Sequence, residues 1–103
     1  MSSVQRILGV LGMLDHRVLV FLEPREGYTG KREAVIFWGR DREKEVRCGI
    51  TWEALHDHFG AGANDSLKAF VANRAIIEHE ARRKYLADQL EPDGSVLIHN
   101  DDI

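Results

Sequence analysis

The sequence holds one cysteine and two prolines among its 103 residues. A lone thiol, Cys48, closes no internal disulfide, so no cross-linked scaffold holds this chain. Its cysteine usage fits a reducing cytoplasm. An excess of cations is missing too, since the formal net charge is −3. Non-specific binding of nucleic acid over the whole surface rests on such an excess and is not expected. A local basic patch stays open. The apolar run Ile7 to Leu14 is too short to span a membrane. It also lacks the basic start and small-residue cleavage site of a secretory leader. Neither GxGxxG nor GxxxxGK[ST] occurs, so the GAGAN stretch at 60–64 has no assigned phosphate role.

What is present is ordinary for a soluble globular domain: 44% hydrophobic and 30% charged residues. The length suits one domain with one core. The strongest local signal is Ser66 to Leu90, without glycine or proline, which predicts about seven turns of helix. Leu67, Phe70, Val71, Arg74, Ile77, Ala81 and Tyr85 recur at steps of three and four and define one face. Phe70 is the expected centre of the core. Asn64, Asp65 or Ser66 can cap the start, and Pro92 and Gly94 stop the helix. Arg74 interrupts the apolar face, four residues before Glu78. It either pairs there with its stem along the core, or it presents an anion-binding fork at a cleft.

The rest of the chain reads around that helix. Residues 1–16 form an N-terminal extension with three open readings: a short docking helix, a disordered tail, or a partner- or membrane-surface helix. Met13 raises the further option that translation starts there. A single domain is expected over 17–103. Arg17 to Glu23 predicts a strand, and residues 24–33 a loop in which Tyr28 anchors to the domain. Ala34 to Gly39 is a strand apolar on both faces. Arg40 to Glu43 is a charged turn, leading to a strand over Lys44 to Ile50. There Val46, Cys48 and Ile50 point one way and Glu45, Arg47 and Gly49 the other. The pair makes an antiparallel hairpin with a four- or five-residue connection. Cys48 reads as a small core residue rather than a nucleophile. Thr51 caps a short helix over Trp52 to Phe59, ended by Gly60, with Leu55 and Phe59 inward. After the turn at 91–94, Ser95 to His99 is a last strand, and the acidic tail NDDI is expected to be exposed.

This gives an α+β fold: an antiparallel sheet of about four strands, with a short and a long helix on one face, in the order β-β-β-α-α-β. The alternative has the last strand parallel to a hairpin strand.

At AVIFWGRDREKEV, followed by AFVANRAIIEHEARRKY and GSVLIHNDD, the chain resembles the bacterial family catalogued as domain of unknown function 1488. Val35, Phe37, Trp38, Gly39, Asp41, Val46, Ile50, Leu55, Phe70, Asn73, Arg74, Ile77 and Ala81 carry the match. Arg25 and Tyr28 resemble the family's loop pair. The resemblance spans 18–103 and implies a small cytoplasmic protein with no assigned activity.

Chemistry is sparse. His16, His56, His58, His79 and His99 do not converge by spacing, and no HExxH occurs, so neither metal nor cofactor is expected. Asp57, Glu78 and Glu80 are too scattered for a catalytic carboxylate pair, and Ser66 and Ser95 lack a nucleophile's context. No catalytic residue is assigned. Three functions stay open. The favoured one is a binding or protein-interaction module without catalysis. It would be a homo-oligomer or bind another protein through Ile36 and Trp38, should these point away from the helices. A second is nucleic-acid association through Arg82, Arg83 and Lys84 with Lys68, with Trp38 or Phe37 stacking a base. A third is a small-anion-binding protein or enzyme centred on Arg74. The candidate surface is therefore Trp38, Arg74, Arg82 and Arg83.

Overall fold

A computed structural model describes residues 17–21, 26–28, 34–62 and 64–103. Four strands form one sheet in sequence order: β1 (Glu26–Tyr28), β2 (Ala34–Asp41), β3 (Lys44–Thr51) and β4 (Val96–Ile98). Three helices lie between β3 and β4: α1 (Trp52–Phe59), α2 (Ser66–Ala72) and α3 (Arg74–Leu86). A 3-10 turn at Asn100–Asp102 follows β4.

The sheet is mixed, which corrects the all-antiparallel expectation. β1–β2 and β2–β3 are antiparallel, but β4 lies parallel to β3, pairing Cys48 with Val96 and Ile50 with Ile98. The three helices carry the chain back to the end from which β3 started, so the returning strand must run alongside it. The hairpin is also tighter than expected. Asp41 still pairs with Lys44, leaving only Arg42 and Glu43 as the connection. Arg42 takes φ 60°, the left-handed conformation that two-residue hairpin turns require.

Of the expected strand at Arg17–Glu23, the described residues 17–21 show one bridge, Val20 to Arg40, bonded in both directions at 3.0 and 2.9 Å. In that register Leu19 falls opposite Asp41, the last residue of β2, and Arg17 and Val18 lie beyond it. Among the described residues the first full strand is Glu26–Tyr28, within the expected loop. Expectations for residues 1–16, for Arg25 and for the side chain of Tyr28 lie outside the described residues.

The predicted single helix is two. At Asn73 the backbone leaves helical geometry (φ −119°, ψ 22°). Its side-chain amide donates to the Ala69 carbonyl at 2.9 Å, where its own N–H also binds at 3.1 Å. Asparagine competes in this way with the helical ladder. The break divides the expected single apolar face between two helices. Val71, expected in the core, is 50% exposed, and Arg74 becomes the first residue of α3. The helix ends at Leu86, short of Leu90, because Asp88 adopts φ 61°. Gln89 N–H then binds the Lys84 carbonyl at 2.9 Å and Asp88 N–H that of Tyr85 at 3.1 Å. This is a Schellman stop with aspartate in the usual glycine place.

Helix α1 follows its sequence signals. Thr51 Oγ1 accepts from Ala54 N–H at 3.1 Å, and Gly60 closes the helix at φ 69°. The core lies between the helices and one face of the sheet. Val35, Phe37, Val46, Cys48, Ile50, Val96 and Ile98 meet Leu55, Phe70, Ile77, Ala81 and Tyr85 there. Phe37 and Phe70 rings sit 4.9 Å apart at their centres. Gly39 leaves room for Leu19: a Cβ there would stand 2.7 Å from Leu19 Cδ1.

The tail is exposed as expected at Asp101 and Ile103, but Asn100 and Asp102 are half-buried. Asp102 accepts from Lys84 Nζ at 2.6 Å and from His99 N–H at 2.7 Å. Asn100 donates to Asp57 at 2.8 Å, and its carbonyl meets His58 Nε2 at 3.0 Å. Long-range partners on α1 and α3 fold these residues back onto the domain.

Candidate functional site

Strand alternation divides the sheet's side chains sharply. Val35, Phe37, Val46, Cys48, Ile50, Val96 and Ile98 fill the core, so the intervening Ile36, Trp38, Arg40, Glu45, Arg47, Gly49 and Leu97 point to the other face. None of these outward residues belongs to the core cluster, and the described helices all pack on the opposite side. Register aligns them in rungs. Ile36, Gly49 and Leu97 form one, Trp38 and Arg47 the next, Arg40 and Glu45 a third.

Gly49 lets its neighbours close over it. A Cβ there would lie 3.2 Å from both Ile36 Cδ1 and Leu97 Cδ1. Beside this apolar rung the 91–95 turn rises as a wall. Glu91 and Ser95 are joined by a backbone bond of 2.8 Å, and Gly94 sits at φ 88°. Asp93 accepts from the Ser95 hydroxyl at 2.6 Å and its N–H at 2.9 Å. Those two bonds, with Arg47 nearby, hold its carboxyl below the usual range. Floor and wall enclose a cleft of about 380 Å³, edged by Ile36, Arg47, Asp93 and Leu97. Trp38 stands outside it, one strand away, partly exposed.

The four residues expected at a binding surface do not share one. Trp38 is on the outer sheet face, whereas the three arginines stand on α3, which serves the inner side. The Arg74 guanidinium lies over the Phe70 ring at 4.9 Å and reaches Glu78 at 3.8 Å. Arg82 Nε donates to the Leu19 carbonyl at 2.8 Å, and its guanidinium covers Phe21. Arg83 binds Glu80 through two N–H groups, at 3.0 and 2.5 Å. Lys84, expected beside them on an outer strip, is buried beneath the tail. Arg47, Leu97 and the cleft were not singled out from sequence. The alternation of β3 points Arg47 outward, but Leu97 joins it only through the parallel register of β4.

Two buried acids face the core. Cys48 is 1% exposed, and burial pushes its thiol up to about 12 from 9.0. Tyr85 donates to Asp41 at 2.5 Å. Burial first, and then that bond and the Asp41 charge, raise its hydroxyl from 10.0 to about 12. Both groups ionise earlier in the unfolded chain than in the folded one. Their contribution is therefore complete below pH 9 and is lost as pH climbs towards 12. Between neutral pH and pH 9 the urea midpoint should lose nothing to these two groups; above pH 9 it should fall, with a shallower fall in Cys48→Ala. An equal fall in that variant would place the loss elsewhere.

Among the described residues, no group of three His, Cys, Asp or Glu side chains could hold a metal ion. Nor is any described helix long and apolar enough to cross a membrane.

With this geometry in place, the sequence matches, over residues 19–98, the family described as Protein of unknown function (DUF1488). The chain belongs to that family. The match opens at buried Leu19 and closes at Ile98 of β4, so it takes in all four strands and three helices of this DUF1488 domain. A crystal structure of a protein of unknown function from the DUF1488 family of Shewanella loihica PV-4 is similar, with a TM-score of 0.70. It is 17% identical, and the likeness covers 79% of this chain and 91% of that one. At that identity the likeness concerns the fold of the DUF1488 domain alone. No curated protein matches the sequence.

Proposed function

We propose that this domain is a binding module without catalysis, working in the cytoplasm, and that its binding surface is the outer sheet face. One observation carries the reading. Ile36 and Leu97 flank Gly49, with Trp38 on the next rung, all three partly exposed on the side of the sheet away from every described helix. Apolar side chains gathered on one open face, edged by Arg40, Arg47 and Asp93, have the make-up of an interaction surface. A photo-crosslinking amino acid at Leu97 in living cells should give covalent adducts to protein. The same group at His79, on the exposed side of α3, should give none. Absence of adducts at Leu97, or equal adducts at both positions, would refute the assignment.

A further inference from the structure

We infer that Lys84 and the last turn of the chain seal the edge of β4, so that the sheet does not add a further strand there. The inference goes beyond the assignment of the outer face and does not depend on it. Among the described residues β4 is the last strand of the sheet, and its sequence Val96–Leu97–Ile98 is apolar throughout. A strand of that make-up with free backbone groups is a template for other extended chains.

The pairing fixes which groups those are. Arg40 gives both its backbone N–H and its carbonyl to Val20. Successive residues of a strand turn these groups to opposite sides, so Gly39 and Asp41 face β3. Their partners Val46 and Lys44 face back, which leaves Glu45, Arg47 and Gly49 facing β4. Gly49 stands opposite Leu97 in a parallel pair, and so bonds to Val96 and Ile98 on either side of it. Leu97 therefore turns its N–H and carbonyl away from β3, and Ser95 and His99 do the same.

The outward groups are occupied. Ser95 N–H donates to Asp93 at 2.9 Å, and the Ser95 carbonyl accepts from Glu91 N–H at 2.8 Å. The Leu97 carbonyl accepts from Lys84 Nζ at 2.9 Å. His99 N–H donates to Asp102 at 2.7 Å, and its carbonyl accepts from Asp102 N–H at 3.0 Å. These partners come from the 91–95 turn, from α3 and from the 3-10 turn, and the bond between Lys84 and Asp102 at 2.6 Å joins the last two. Asn100 fastens the 3-10 turn to α1, through Asp57 at 2.8 Å and His58 at 3.0 Å. An extended chain approaching β4 has to displace a buried ammonium and a carboxylate. Charged side chains on an edge, lysine above all, are the usual guard against strand addition.

Sedimentation velocity and hydrogen exchange of the full chain test the seal. Lys84→Met with Asp102→Leu keeps the bulk of the pair but takes the partners from the Leu97 carbonyl and the His99 N–H. This double variant should self-associate at a concentration about tenfold or more below that of the wild type, with far-UV circular dichroism unchanged. Exchange of the Leu97 amide should slow as the variant is concentrated, because an added strand covers that edge. A folded double variant that associates no more than the wild type overturns the inference. So does association that leaves Leu97 exchange unchanged, since the contact then lies elsewhere. Should the double variant fail to fold, Asp102→Ala, which releases the His99 N–H and takes the carboxylate from Lys84, is held to the same two outcomes. Each comparison is made against the wild type, so adducts at Leu97 report on the outer face whether or not the edge is sealed.

Discussion

Phe70→Ala is expected to cost about 3–5 kcal/mol, the usual range for a fully buried phenylalanine. Phe70 is fully buried, with its ring against Phe37 of β2 and beneath the guanidinium of Arg74. It sits in the last turn of α2, just before the break at Asn73, so one side chain ties both halves of the interrupted helix to the sheet. Alanine removes the ring and leaves a cavity that neighbours on three elements cannot close together. A domain of this size has about 5–15 kcal/mol of stability to lose. Urea unfolding should show a large drop in midpoint at an unchanged slope. Phe70→Leu, closer in volume, should cost less than about 1.5 kcal/mol. A loss below about 1 kcal/mol for the alanine variant would contradict a well-packed site, because the cavity left by a buried ring costs more than that.

Lys84→Ala should have the next largest effect, for an electrostatic reason. Lys84 is 5% exposed, and its ammonium donates to the Leu97 carbonyl at 2.9 Å and to Asp102 at 2.6 Å. Asp102 is only partly buried and keeps its bond from His99 N–H, so the loss should be about 1–3 kcal/mol, the usual cost of leaving a desolvated acceptor without its donor. The Leu97 carbonyl, part of the edge strand, loses its donor as well. Asp102 feels burial, which raises its carboxyl, but the bonds from Lys84 and His99 prevail and hold it below the usual range. Its contribution is therefore present above the ordinary carboxyl range and fades as pH falls through the lowered value. The double variant Lys84→Met with Asp102→Leu should recover most of the loss, since apolar groups of similar volume replace such pairs at little cost. Equal unfolding midpoints for wild type and Lys84→Ala would show that the pair holds nothing together.

Local chemistry was legible where it acts alone. Thr51 and Gly60 bracket α1 because a cap needs only its own turn, and the alternation through Val46, Cys48 and Ile50 names the buried face of β3 unaided. Asn73 was harder. Its spacing fits a continuous helix, and only the bond from its amide to Ala69 discloses the break that turns Val71 outward. The direction of β4 depends on how three helices return the chain, which no stretch of five residues records. The ties of Asn100 and Asp102 to the domain are hidden for the same reason. Asp102 looks solvated in a run of acids, and its partner Lys84 lies on another element. The candidate site shares that limit: Trp38 and Ile36 stand out within one strand, but the cleft requires Leu97 and the 91–95 turn to be brought beside Arg47.

The parallel pairing of β3 with β4 has a consequence during synthesis. Val96 docks beside Cys48, yet the ribosome makes it 48 residues later. Until then the hairpin strand from Cys48 to Ile50 displays raw backbone donors and acceptors along one side, next to apolar side chains. Long-range parallel contacts form slowly, and an open edge of that kind recruits any extended chain nearby. Nascent copies on neighbouring ribosomes are such chains. The interval between the emergence of β3 and the arrival of β4 is thus the time at which this small domain is most exposed to mispairing.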